Sequence, residues 1–134
     1  MKAIEVSAGL VFRDGKLLIT KRFPDAHLGG LWEFPGGKRH DGESFEDCLR
    51  RELREELGIE VEVRDLVEDS THHYPEKSVH LKFFRCEWSD GEPQAIGCSE
   101  FVWVTAEELC GYNFPEADSK LLKHLRDDRK LWTR

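Results

Sequence analysis

The chain has 134 residues, of which 39% are hydrophobic and 35% charged, as is typical of one soluble globular domain with its own core. Its net charge of −7 argues against a protein that binds nucleic-acid polymers or anionic membranes, because such surfaces are basic. No apolar run has the length of a membrane span. The N-terminal sequence MKAIEVSAG has no apolar segment of the signal-peptide type, so we expect a cytoplasmic protein.

The cysteines form neither a CxxC motif nor a spacing typical of zinc ligands. They stand apart from one another at Cys48, Cys86, Cys98 and Cys110. In a reducing cytosol we expect all four to be free thiols.

In chain order, the sequence first predicts a β-hairpin. Two β-rich runs, residues 3–13 and 16–22, flank Asp14-Gly15, a dipeptide that favours a tight turn between antiparallel strands. The segments that follow are predicted as loop, short strand and loop over residues 23–31, 32–34 and 35–37.

A helix is predicted next, with Ser44 as its N-cap, Asp47 three positions later and Gly58 at its C-terminal end. The remaining predicted elements are strands at 59–69, 77–88 and 100–104, a short helix from Thr105, and a last helix from Asp118 to Asp128. The order of strands, helix, strands and helix indicates an α/β (α+β) fold in which a mixed sheet is covered by helices on both faces.

Three glutamates crowd one face of the predicted helix. Glu52, Glu55 and Glu56 have i, i+3, i+4 spacing, and their face borders the apolar stripe that begins at Phe45 and recurs every four residues. A solvated surface helix is compatible with this pattern, since Arg51 and Glu55 form a favourable i,i+4 pair. Glu52 and Glu56, however, are like-charged at i,i+4, and a hard divalent cation would reverse the sign of their repulsion. The spacing alone leaves both interpretations open.

The residues around the cluster carry a resemblance to a known family. From Gly37 the chain reads GKRHDGESFEDCLRRELREELGI. This segment, residues 37–59, resembles the Nudix box, G-x5-E-x7-R-E-U-x-E-E-x-G-U with U aliphatic, and matches every specified position. The resemblance implies a Nudix fold, with a mixed β-sheet sandwiched between helices in one domain over residues 1–134. It also implies an enzyme that hydrolyses a nucleoside diphosphate linked to another group.

The resemblance assigns roles to the residues of the box. Glu52, Glu55 and Glu56 are implied as ligands of Mg²⁺ or Mn²⁺, joined by the carbonyl of Gly37. Arg51 and Glu43 are implied to hold those carboxylates in place. The general base varies in location between branches of the family, and the candidates in this chain are Glu56 and Glu100.

The likeness extends to the MutT branch, whose members are nucleoside triphosphate pyrophosphohydrolases that remove oxidised nucleotides. The segments that carry it are TKRFPDAHLGGLWEFPGGK at 20–38 and NFPEADSKLL at 113–122. The implied partner is a nucleoside triphosphate, rather than a nucleic-acid polymer or a membrane. The substrate site implied by this likeness comprises Arg22, His27, Phe34, Gly36, Gly37, Lys38 and Asp118.

Asp118 occupies the position implied to read the base. Where members that read 8-oxoguanine have an asparagine, an ionised aspartate can only accept hydrogen bonds. A carboxylate suits the N1–H and N2–H of a guanine-type base or the N4–H of cytosine, so 8-oxo-dGTP and CTP or a modified dCTP are both candidates, the first slightly favoured. A purely structural role for Asp118 is the N-cap of the last helix.

Two other functions remain as alternatives. One is hydrolysis of a different nucleoside diphosphate derivative. The other is a non-catalytic recognition module, which predicts loss of the metal-binding carboxylates, whereas this chain has all of them.

Overall fold

The computed structural model describes residues 3–133. Their strands are β1 (Ala3–Arg13), β2 (Lys16–Lys21), β3 (Trp32–Glu33), β4 (Gly36–Lys38), β5 (Glu60–His73), β6 (Ser78–Asp90) and β7 (Glu100–Val104). The helices are α1 (Phe45–Leu57), α2 (Ala106–Leu109) and α3 (Ser119–Asp127), with 3₁₀ turns at Glu116–Asp118 and Arg129–Trp132. None of the helices in this described range is long and apolar enough to cross a membrane.

The strands form one mixed sheet in the order β3-β2-β1-β6-β5. β1 and β6 run parallel from Ala3 beside Ser78 to Phe12 beside Glu87, and the other paired strands are antiparallel. β1 also pairs with β4 near its start, and β7 adds to β2. The long central strand β1 therefore joins the hairpin to the segment that precedes α1.

Helices cover both faces of this sheet, as the sequence predicts. On one face, α1 buries the stripe Leu49, Leu53 and Leu57 against side chains of the central strands. On the other face, Leu121 and Leu125 of α3 pack into a second apolar cluster. The two clusters fix α1 and the start of α3 relative to one sheet. This positions the residues that α1 and the turn before α3 contribute to the cavity described below.

Local sequence signals place α1 well. The Ser44 hydroxyl accepts a hydrogen bond from the Asp47 backbone N–H at 3.0 Å, as its N-cap role predicts. Gly58 ends the helix in the left-handed region, with φ of 70°, and its N–H donates to the Arg54 carbonyl. The hairpin prediction is also confirmed, since Asp14 and Gly15 both have positive φ.

Three parts of the fold differ from the sequence-based expectation, and the first is β5, which runs on to His73 where the predicted strand ends at residue 69. Residues 35–37 were expected to be loop, but Gly36–Lys38 form β4 beside β1. A Cβ at Gly36 would lie 1.9 Å from the Ser7 carbonyl oxygen, so this pairing requires glycine rather than a strand-forming side chain. At the other end of the chain, Trp132 is buried edge-on against Phe12 in a 3₁₀ turn that no local pattern predicts.

We expect Leu53→Ala to lower the free energy of unfolding by about 2–5 kcal/mol, because Leu53 is fully buried between α1 and the sheet. Leu66→Ala is the matched control, since Leu66 is 46% exposed on β5, and its loss should stay below about 1 kcal/mol. Urea denaturation followed by circular dichroism measures both values. Equal losses in the two variants would contradict the packing described for α1.

Candidate active site

A cavity of about 650 Å³ lies beside the middle of β1, at residues 6–8, and gathers residues that are far apart in sequence. Its walls come from β1, the segment from β3 through β4, α1, the facing parts of β5 and β6, the loop before β7, and the turn before α3. The predicted site residues that line it are Arg22, Phe34, Gly36, Gly37, Lys38, Glu52, Glu56 and Asp118. A volume of this size suits a ligand as large as a nucleotide.

Two carboxylates from α1 lie next to each other in the wall of this cavity. Glu52 and Glu56 lie one helical turn apart and both line the wall. Burial, together with the carboxyl groups of Glu52 and Glu33, raises the pKa of Glu56 to about 8. The neighbouring Glu52 thus disfavours the ionised form of Glu56 in the folded chain, as the like-charged spacing in the sequence implies.

Gly37 makes room for one of these carboxylates. A Cβ at this position would lie 2.3 Å from the Glu52 carboxyl carbon and within 2.6 Å of both its oxygens. A side chain there would have to displace the Glu52 carboxylate, so Gly37 allows the β4 backbone and this carboxylate to approach each other closely. The resulting cradle contains carboxylate oxygens and backbone, the hard donors that Mg²⁺ or Mn²⁺ prefers.

Within residues 3–133, no three His, Cys, Asp or Glu side chains are arranged to enclose a metal ion by themselves. Glu52 and Glu56 nevertheless supply two carboxylates to one wall of an open cavity. Such a set fits a divalent cation that is shared with phosphate oxygens and water rather than one held by a closed protein cage.

The guanidinium of Arg51 bonds to several groups around the Glu52 carboxylate. Its Nε and Nη2 donate to the two carboxylate oxygens of Glu43 at 2.8 and 3.0 Å. Nη1 donates to Glu52 at 3.0 Å and to Glu55 at 3.2 Å, and Nη2 also reaches the Lys38 carbonyl at 3.0 Å. Arg51 thus joins the segment between β4 and α1 to α1 itself and orients the Glu52 carboxylate.

Glu43 is strongly affected by these contacts. The hydrogen bonds from Arg51, with a further one from the His40 backbone N–H at 3.0 Å, lower the pKa of Glu43 to about 2. In return, Glu43 and Glu52 raise the pKa of Arg51. The pair is ionised throughout the physiological range and is an anchor of the site.

Five predicted site residues lie outside the cavity wall: Arg51 and Glu43, which hold Glu52 in place, and Glu55, Glu100 and His27. Glu55 is 58% exposed beside Arg51, so its role as a metal ligand stays a prediction. Glu100 is equally exposed on β7 and pairs with Lys21 at 3.5 Å, which does not bring it to the carboxylate cluster. The His27 side chain is exposed, and the contact of this residue with the site is its carbonyl, which accepts a hydrogen bond from Arg22 at 2.6 Å.

Another part of the cavity wall is aromatic and charged. Phe34 is buried, stacks on Phe114 with ring centroids 5.0 Å apart, and meets Phe83 edge-on at 6.0 Å. Arg22 lines the wall and its Nη1 donates to Glu33 at 2.8 Å. The arrangement offers one aromatic surface and one ion pair to a planar, polar ligand.

Asp118, which also lines the cavity, is only 8% exposed. Burial raises the pKa of Asp118 to about 6, and the nearby Glu33 contributes to the shift. Asp118 is the N-cap residue of α3, as the structural alternative predicts, but its side chain makes no capping hydrogen bond. Asp118 also lies in the cavity wall.

Sequence reasoning missed several cavity residues, among them Glu33 and Gly97, which both act on Glu56. Glu33 ends a two-residue strand directly before Phe34, and only its proximity to that residue could have marked it. Gly97 lies in the loop before β7, beside Glu56. Its sequence neighbourhood, AIGCSE, has no signal for a role because the relevant contact is with α1.

We expect Glu43→Gln to lower the stability of the folded chain at pH 7. The pKa of Glu43 falls from its ordinary value of 4.5 to about 2 on folding, so its contribution is complete above pH 4.5 and disappears as pH falls towards 2. The difference in urea midpoint between variant and wild type should therefore shrink across that interval. Glu46→Gln, at an exposed position of α1, is the control. A difference that does not vary with pH would refute the ion-pair assignment.

Comparison with known proteins agrees with this geometry. A family model described as the NUDIX domain matches residues 7–124. CTP pyrophosphohydrolase from Escherichia coli (strain K12) is 40% identical over 123 residues, which cover 92% of this chain and 91% of the relative. The 8-oxo-dGTP diphosphatase of the same organism is 32% identical over 127 residues, covering 94% and 98%.

A solved structure shows the same fold. The solution structure of the E. coli ORF135 protein superposes with a TM-score of 0.79 at 40% identity, covering 92% of this chain and 88% of that one. The matches span nearly the whole chain and include the box that holds Arg51, Glu52 and Glu56. The chain belongs to the Nudix hydrolase family, and its relatives are of the MutT type.

Proposed function

We propose that the chain hydrolyses a nucleoside triphosphate to the nucleoside monophosphate and pyrophosphate in the presence of Mg²⁺ or Mn²⁺. The observation that carries the proposal is a single cavity whose wall contains Glu52 and Glu56 of α1 together with Phe34 and Asp118. Such a cavity has a place for a cation-bound phosphate chain and a place for a base. We place the reaction in the cytoplasm, where nucleoside triphosphates are made and used.

The polar groups around Glu52 and Glu56 suit this reaction. A bound divalent cation neutralises phosphate charge and lowers the pKa of the attacking water. Glu52 and Glu56 would hold the cation from α1, with the Gly37 carbonyl beside them, while Arg51 and Glu43 keep Glu52 in position. Lys38, also in the wall, supplies positive charge to the phosphates.

We assign the proton-accepting role to Glu56 rather than to Glu100. Attack of water on a phosphoanhydride releases a proton, and the accepting group must lie within reach of that water. Glu56 lines the cavity, whereas Glu100 lies outside it and pairs with Lys21. Both residues were candidates on sequence grounds, and their positions in the fold favour the first.

The part of the cavity with Asp118 and Phe34, which we propose binds the nucleobase, is compatible with two substrates. Asp118 offers a buried carboxylate beside Phe34, which suits the N1–H and N2–H of 8-oxoguanine, so 8-oxo-dGTP is our first candidate and removal of oxidised nucleotides its purpose. The second candidate is CTP or a modified dCTP, favoured by the 40% identity to a CTP pyrophosphohydrolase. The N4–H of cytosine meets the same carboxylate.

The direct test is pyrophosphate release with Mg²⁺ across a panel of canonical, oxidised and methylated nucleoside triphosphates. We expect turnover of 8-oxo-dGTP or of CTP-type substrates to exceed that of the other triphosphates. A panel with no hydrolysis at all would sink the proposed function. A profile dominated by CTP would replace the first candidate substrate by the second.

Glu56→Gln should lower kcat by about 10²-fold or more, because it removes both a cation-binding charge and the proton acceptor. Glu100→Gln should retain wild-type kcat, since it changes the same functional group outside the cavity. Steady-state kinetics at saturating Mg²⁺ measures both variants. Loss of activity in Glu100→Gln with activity kept in Glu56→Gln would reverse the assignment.

Asp118→Asn should change the choice of base, because an amide both donates and accepts whereas a carboxylate only accepts. We expect the ratio of kcat/KM for 8-oxo-dGTP to that for CTP to change by about ten-fold or more. Asp127→Asn, at an exposed position of the same helix, is the control. An unchanged ratio in Asp118→Asn would show that this residue does not read the base.

A further inference from the structure

The loop between β6 and β7 closes the C-terminal end of α1. The backbone N–H groups of Ile96 and Gly97 donate to the Glu56 carbonyl at 3.2 and 3.0 Å, and that of Gln94 donates to the Leu57 carbonyl at 2.9 Å. The last carbonyls of a helix have no partner within the helix, so these donors satisfy groups that would otherwise need water. The loop backbone is thereby fixed against the turn of α1 that carries Glu56.

Gly97 lies directly against the Glu56 side chain. A Cβ at position 97 would be 2.8 Å from Glu56 Cγ, 3.0 Å from its Cβ and 3.1 Å from its Oε2. The first two atoms are close to the helix backbone and cannot move as freely as the end of a side chain. The φ of Gly97 is not in the left-handed region, so alanine meets no backbone penalty there and the obstacle is Glu56 itself.

We propose that Gly97 is a positioning residue for Glu56, whose carboxylate it allows to project into the cavity beside Glu52. The loop then serves the reaction through the shape of its backbone, since Glu92, the acidic residue among positions 91–99, pairs with Arg13 and does not line the cavity. The inference rests on the proposed function for its catalytic consequence. Its structural content, a steric coupling between position 97 and Glu56, can be measured without any substrate.

Gly97→Ala is the first test, and Gly111→Ala is its matched control. Gly111 also has a φ outside the left-handed region, and a Cβ there would lie 3.4 Å from the Glu108 carbonyl oxygen, an ordinary contact. Gly97→Ala should lower kcat at least ten-fold with less than a three-fold change in nucleotide KM. It should also reduce the rise in melting temperature that Mg²⁺ produces without substrate. Gly111→Ala should match wild type in all three measurements.

A double-mutant cycle with Glu56→Ala separates positioning of Glu56 from a general structural effect. Truncation of Glu56 removes Cγ and Oε2, the atoms that a new Cβ at position 97 would displace. The metal-free change in melting temperature caused by Gly97→Ala should therefore be more favourable in the Glu56→Ala background than in wild type, by about 3 °C or more.

The outcomes are distinct. Equal changes in melting temperature in the two backgrounds, or a Gly97→Ala variant with wild-type Mg²⁺ response, would overturn the positioning role. A wild-type chain that hydrolyses no triphosphate would overturn the proposed function, and the melting cycle would still decide the coupling between Gly97 and Glu56. Coupling in the cycle together with unchanged kcat in Gly97→Ala would reject its catalytic consequence.

Discussion

The guanidinium of Arg51 joins three parts of the chain that meet beside the Glu52 carboxylate in the cavity wall. It pairs through two nitrogens with Glu43 in the segment before α1, bonds to Glu52 on the helix, and reaches the carbonyl of Lys38 at the end of β4. A fork-shaped donor of this kind fixes direction as well as distance, which a single-point ammonium would not. The position of the Glu52 carboxylate against Gly37 depends on these bonds, and so does the balance of charge around it.

On the cavity side the negative charge of the carboxylates is not balanced by Arg51, because Glu56 lies near Glu52 and Glu33. Burial and these neighbours raise the pKa of Glu56, so the folded chain keeps an unfavourable arrangement that a divalent cation would relieve. Both carboxylates of α1 that enter the cavity lie against a glycine, Glu52 against Gly37 and Glu56 against Gly97. Close backbone approach from β4 and from the loop before β7 thus shapes the same pair of side chains from two directions.

Several elements could be predicted because their causes are local. Asp14-Gly15 specifies a turn with two positive φ values, and Ser44 with Gly58 bounds α1 through bonds to residues three or four positions away. β4 could not be predicted, because Gly36 has no strand preference of its own and its pairing depends on Ser7 and Ala8 of β1. Burial of Trp132 likewise depends on Phe12, which is distant in sequence.

For the site, the sequence by itself determined the family and the carboxylates that share one helical face, since a period of 3.6 residues brings Glu52, Glu55 and Glu56 together in any α-helix. Only the tertiary structure decided which candidates share a cavity: Glu56 and Asp118 lie in its wall, and Glu100 does not. It also added Glu33 and Gly97. The physical reason is that spacing along one helix is set by local geometry, whereas distances between segments far apart in the chain are set by strand register and by packing of helices on the sheet.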